Sequence, residues 1–153
     1  RPHQPLTDCV LEGEPFEAAI APVLIGEEAG IGAILFLAEQ LAPPPRLVLL
    51  GARVPPPLRP RPSRILVPGL PPQAIGAVPA LEELGIPSRL AHPDGTPGCY
   101  EGSVSELFGH WLAQQPPGPV QVLAAGPFGI DRRLLAAAAD RHIDLQVRLV
   151  RGG

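Results

Sequence analysis

Two cysteines, Cys9 and Cys99, are too few in a chain of 153 residues for a disulfide framework or a four-thiolate metal site, and they read as free thiols. No set of histidines and carboxylates has metal-ligand spacing. Positive charge is not in excess: 12 lysine and arginine residues meet 15 aspartates and glutamates, a formal net charge of −3. That balance gives nucleic acid or an anionic membrane surface no electrostatic footprint. No apolar run reaches the length of a membrane span, and no basic, apolar, small-residue leader pattern opens the chain. The expectation is a soluble, cytoplasmic protein with neither nucleic acid nor membrane as a partner. Methionine is absent and the sequence begins at Arg1, which suggests a processed start or a piece of something longer.

Proline is what the chain has in abundance, 23 residues gathered largely in blocks around Pro43 to Pro45, Pro55 to Pro62, Pro71-Pro72 and Pro116-Pro117. The blocks fall between periodic segments, where a fixed φ and a missing donor make stiff connections, not a disordered chain. The length fits one domain with a real core.

The chain is organised around Ala21 to Leu41, APVLIGEEAGIGAILFLAEQL. An apolar run, Val23 to Ile25, enters a turn at Gly26, and a helical apolar pattern runs from about Gly30 to Leu41. A strand feeding a helix through such a loop collects free backbone N–H groups and the positive end of a helix dipole, so it either holds a phosphate or is a plain strand-turn-helix. Arg46 to Gly51, RLVLLG, reads as a buried strand, completing a βαβ unit whose crossover is right-handed. Arg64 to Pro68 reads as a further short strand and Pro72 to Leu84 as a helix ending at Gly85, with Pro79 inside it. Ser88 to Ala91 is the next strand, followed by a turn-rich loop, His92 to Gly102. Ser103 and Glu106 form a capping-box pattern opening a helix to about Gln114. Val120 to Ala125 is an apolar strand, Phe128 to Arg141 a helix, and Asp144 to Val150 a last, alternating strand. The sum is an α/β fold of three layers, with a mostly parallel sheet of about five strands spanning residues 22–150. Residues 1–21 read as a linker or the tail of a preceding segment.

Three groups of residues have rival readings. Arg53, Arg59, Arg61 and Arg64 are either a grip on a 2'-phosphate or acidic partner, or a solvated proline-rich loop. His92, Asp94, Cys99 and Tyr100 lie within ten residues, yet nothing in their spacing forces the convergence that a cysteine hydrolase needs. His110 and His142 sit on or after helices, where structural or solvent roles suffice.

Several segments together resemble the nucleotide-binding half of ferredoxin-NADP reductase-like flavoproteins, most closely the electron-transfer subunits of dihydroorotate dehydrogenase. The family's first loop reads like GGGIGVAP, with a helix such as LLFLAKEL; here Gly26-Glu27-Glu28-Ala29-Gly30-Ile31-Gly32-Ala33 leads into ILFLAEQL. A family segment like ALGVEVHIATDDGSFGHKGFVTDLL matches Leu84-Gly85, Asp94-Gly95 and Gly98 in step, and Gly102, Val104 and Leu107 with one extra residue allowed. The family's CGP turn appears as Ala125-Gly126-Pro127, without the thiol. The resemblance covers about Gly13 to Val150 and implies an NAD(P)H-binding electron-transfer domain. Gly26, Gly30 and Gly32 would hold the pyrophosphate, Asp94 and Gly95 would border the ligand, and Ala125, Gly126 and Pro127 would lie under the nicotinamide. FAD would then be supplied by a partner flavoprotein, a dehydrogenase subunit or a missing domain. The chain carries neither a flavin barrel nor the cysteine cluster of an iron-sulfur centre, and catalysis in isolation is not expected.

Glu27 and Glu28 depart from this pattern, replacing two of the glycines that let a backbone approach a pyrophosphate. Acidic residues also stabilise a first helical turn, so they have a structural reading of their own. The alternative function is a degenerate relative that keeps the fold as a structural or interaction module. The direction of these two side chains discriminates: at the mouth of the pocket, they oppose dinucleotide binding.

Overall fold

The computed structural model describes residues 10–12, 20–51, 59–127 and 132–151. Cys9, Arg53, the expected helix start at Phe128 and the Gly152-Gly153 end lie outside the described residues.

Strand β2 (Val23–Glu27) is buried over its first four residues and passes through a single 3-10 turn, Glu28–Gly30, into helix α1 (Ile31–Gln40). The helix turns Ile31, Ile34, Leu37 and Ala38 to the sheet, the spacing of one apolar stripe. Strand β3 (Leu47–Gly51) is buried throughout and pairs parallel with β2, Val23 opposite Leu47. Leucine and valine at consecutive positions suit it, because a parallel strand here has helices over both faces.

Strand β6 (Ser88–His92) lies parallel to β3 on its far side and is followed by a short strand β7 (Tyr100–Glu101). Helix α3 (Val104–Leu112) returns the chain, and its capping box is complete: Ser103 Oγ accepts from Glu106 N at 3.1 Å while the Glu106 carboxylate accepts from Ser103 N at 3.0 Å. Strand β8 (Gly118–Ala125), helix α4 (Arg132–Asp140) and strand β9 (Ile143–Arg151) complete the fold, and β1 (Val10–Glu12) runs antiparallel along β9.

The sheet therefore has seven strands in the order β1-β9-β8-β2-β3-β6-β7, all parallel apart from β1. The expected three-layer α/β architecture is present. The additions to the expected five strands are the two edges, β7 of two residues and β1 of three, the latter within the stretch read as a linker. Helix α1 and a short helix α2 (Pro79–Glu83) cover one face, around Leu24, Leu50, Leu81 and Leu90. Helices α3 and α4 cover the other, around Ile25, Leu49, Phe108 and Trp111. Successive strands step outward from β2 to β3 and β6, and the chain then crosses back to β8 and β9. The order reverses between β2 and β8, where Gly26 pairs with Ala125.

Two expectations fail between β3 and β6. Residues 64–68 are not a strand: Arg64 N donates to the Glu82 carboxylate at 2.7 Å, Ile65 N to Ser63 Oγ at 3.0 Å, and Leu66 is 89% exposed. Side chains take the donors a ladder would need, and Pro68 has none. The pairing in this region is instead a two-stranded antiparallel ribbon, β4 (Arg61–Pro62) with β5 (Gly76–Ala77). The helix expected over residues 72–84 is reduced to α2, because Pro79 occupies the first turn of a helix and not its interior. Gly85, at φ 75°, ends it as expected.

Candidate functional site

Loops leave the carboxyl ends of β2, β6 and β8. Between the first two and the start of α3 lies a cleft of about 530 Å³, lined by Glu27 and Glu28, by Pro93 and Asp94, and by Ser103, Val104 and Glu106; no described residue of the loop after β8 lines it. Gly51 and Ala91 form its floor, one at the end of β3 and the other on β6. A Cβ on Gly51 would stand 2.8 Å from Val104 Cβ, so glycine at this strand end is what lets α3 approach the sheet.

Among the described residues the charged groups lining the cleft have one sign: Glu27, Glu28, Asp94 and Glu106 all line it, and no arginine or histidine does. Glu106 also occupies the amino-terminal end of α3, so two N–H groups are already satisfied by the chain's own side chains where an anion would otherwise be held. Glu28 has a left-handed backbone, φ 52°, which is a glycine conformation.

The predicted residues divide into three sets. Asp94 lines the cleft, with its N–H donated to His92 Nδ1 at 3.0 Å, and Gly95, at φ 69°, turns the chain beside Glu101. Gly30, Ala125 and Gly126 come together at the strand-order reversal. A Cβ on Gly30 would stand 2.2 Å from the Ala125 carbonyl carbon, and one on Gly126 would stand 2.0 Å from the Glu27 carbonyl oxygen. These two glycines are accounted for by backbone packing alone. Gly26 sits under Ile34 and Leu50, Gly32 faces open space, and Pro127 is exposed. Sequence reading missed Gly51, Ala91 and Glu106 as cleft residues. Glu106 was visible only as a cap, and the glycine closing RLVLLG was the signal for the floor.

The grouping of His92, Asp94, Cys99 and Tyr100 does not assemble a nucleophile. Burial pushes the Cys99 thiol up from its ordinary value, keeping it protonated, the reverse of what attack requires. His92 Nδ1 accepts the Asp94 N–H, and Tyr100 Oη lies 3.2 Å from His110 Nε2. Arg59, Arg61 and Arg64 are exposed and do not line the cleft, and Arg61 lies in β4. Among the described residues no cluster of histidine, cysteine and carboxylate groups suits a metal ion, and no helix is long and apolar enough to cross a membrane.

Comparison with protein-family models, with curated proteins and with solved structures gives no match in any of the three.

Proposed function

We propose that this chain is the nicotinamide-dinucleotide lobe of a ferredoxin reductase-like electron-transfer flavoprotein, taking NADH in preference to NADPH and passing electrons to a flavin carried by a partner or a separate domain. One observation carries the reading: five parallel strands in the order β9-β8-β2-β3-β6, with a cleft over the carboxyl ends of β2, β3 and β6 beside the point where that order reverses. Open α/β sheets bind ligands at such a crevice. The cleft suits the uncharged parts of a dinucleotide, with Gly51, Ala91 and Val104 as apolar surface and carboxylates able to accept from ribose hydroxyls. Among the described residues no cation lines it, so it does not suit the diphosphate. A carboxylate 4 Å from a phosphate oxygen costs about 1 kcal/mol in water and about 4 at an effective dielectric of 20. That is roughly tenfold to nearly a thousandfold in affinity. The added charge of a 2'-phosphate makes NADPH the poorer ligand.

The same carboxylates favour a second reading, a lobe that keeps the fold for an interaction or structural role and has given up the dinucleotide. Calorimetric titration of NADH and NADPH at low salt separates the two, using the native chain and a Glu27→Gln, Glu28→Gly variant. The first reading expects weak, saturable NADH binding to the native chain, tightened about tenfold or more in the variant. Binding confined to the variant supports the second. Silence from both proteins removes the dinucleotide from this cleft.

A further inference from the structure

At the other end of the sheet, where the strands begin, Arg46 enters β3 beside the last turn of α3. Its Cζ lies 4.9 Å from the centre of the Trp111 ring, a cation–π contact, and its Nη2 reaches Gln115 Oε1 at 3.4 Å. Gln115 is held in turn: its Nε2 donates to the Trp111 carbonyl at 3.1 Å, and its own carbonyl accepts from Arg141 at 2.7 Å. Arg46, Trp111 and Gln115 line a cavity of about 270 Å³, walled by Val67, Pro68 and Pro87, with the exposed Leu66 at its rim.

A guanidinium carries five donors in a planar fork that matches a carboxylate. Here one donor makes a long bond to a neutral amide, and no carboxylate among the described residues pairs with Arg46 or lines the cavity. Arg46 is solvent-exposed, so its remaining donors face water and are open to a ligand, while burial of part of the side chain draws its pKa down from the ordinary value. Among the described residues the cavity is thus the converse of the cleft at the opposite end: one cation, no acid, and an apolar wall of Val67, Pro68 and Pro87 beside two glutamines.

We propose that this cavity binds an apolar carboxylate of amino-acid size, the carboxylate forked on Arg46 and the hydrocarbon lying against Val67, Pro68 and the Trp111 edge. Its volume is below the roughly 300–1,000 Å³ of sites for drug-sized ligands, so a single residue fits and a nucleotide does not. A free small acid and the carboxyl-terminal residue of a protein partner present the same chemistry. The site shares no residue with the acidic cleft, and the inference stands apart from the reading of that cleft.

Trp111 is the single tryptophan of the chain, so its fluorescence reports directly on the site. The probes are N-acetyl-leucine, acetyl-Gly-Gly-Leu with a free carboxylate, and the carboxamide of each. Both acids are expected to change the emission saturably and both amides to leave it unchanged. A tripeptide that binds more tightly than N-acetyl-leucine assigns the site to a partner's carboxyl terminus, and equal or tighter binding of N-acetyl-leucine assigns it to a small acid. Arg46→Gln should weaken binding about tenfold to a hundredfold, and Arg46→Lys, which keeps the charge and loses the fork, by less. Leu66→Asp is the control against misfolding: at 89% exposure the side chain has little packing to lose, and a like charge at the rim should weaken binding roughly fivefold. Equal responses to acids and amides, no response to either acid, or full binding by a folded Arg46→Gln protein would each overturn the proposal.

Discussion

Glu28 is held where a glycine belongs. At φ 52° its Cβ crowds the backbone, a strain of about 1–2 kcal/mol for a residue other than glycine. Glu28→Gly releases that strain and gives back part of it as chain entropy, so a gain of about 1 kcal/mol in stability is expected, read as a raised melting temperature. A variant that melts lower would show that the contacts Glu28 makes outweigh the strain. The opposite holds for Gly30 and Gly126. Alanine at either puts a Cβ within bonding distance of a carbonyl group, as close as 2.0 Å. Backbone must move, at a cost of about 1–3 kcal/mol or more. Gly32, with nothing within 4 Å of its missing Cβ, is the internal control: Gly32→Ala should stabilise α1 by roughly 0.5–1 kcal/mol. Denaturant melts of the three alanine variants measure all of this. They also separate glycines kept for packing from a glycine kept for room at a ligand.

Among the elements, the segment linking β3 to β6 is the one held by side chains instead of a ladder. The Glu82 carboxylate accepts from Ser63 Oγ at 2.8 Å and from Arg64 N at 2.7 Å, and the buried Arg89 donates to the Ile65 carbonyl. Removing the carboxylate in Glu82→Ala should free residues 63–65 and expose the bond after Arg64 to trypsin, with cleavage at that bond accelerating well before global unfolding. Unchanged cleavage would mean that Arg89 alone pins the segment. The same region shows what the sequence could convey. Apolar runs of consecutive leucine and valine, the Ser103-to-Glu106 cap and the glycine turns are local signals, and they located β2, β3, β6, β8, β9, α1 and α3. RILVP carries an equally good local signal and is not a strand, because its donors are claimed by Glu82 and by Ser63, the former 18 residues away from Arg64. The site behaves likewise. Asp94 and the acidic first loop were legible, whereas Glu106 and the Gly51 floor join the cleft only once α3 folds back onto β3.

Over the whole molecule, the acidic cleft and the Arg46 cavity lie at opposite ends of the strands, while two ionisable groups within the core, Cys99 and Tyr100, are kept neutral. Cys99 and Tyr100 are 4% and 8% exposed. Burial raises both pKa values, and Glu106 adds to the effect on Tyr100. Each group therefore holds its proton more tightly in the folded chain than in the unfolded one. Below the unfolded values, 9.0 for the thiol and 10.0 for the phenol, both states are protonated and the contribution to stability is whole. Above them the unfolded chain ionises first, binds fewer protons and is favoured, by up to about 1.4 kcal/mol per pH unit for each group, until the folded group ionises too. The melting temperature should thus be insensitive to these two groups through neutrality and begin to fall near pH 9. In Cys99→Ala the onset should move toward pH 10, and Tyr100→Phe should flatten the steeper limb beyond it. Both variants lose some stability at neutral pH, so the comparison rests on the slope against pH and not on the absolute midpoint. Alkaline limbs of the same slope in the native chain and in both variants would place the proton uptake elsewhere.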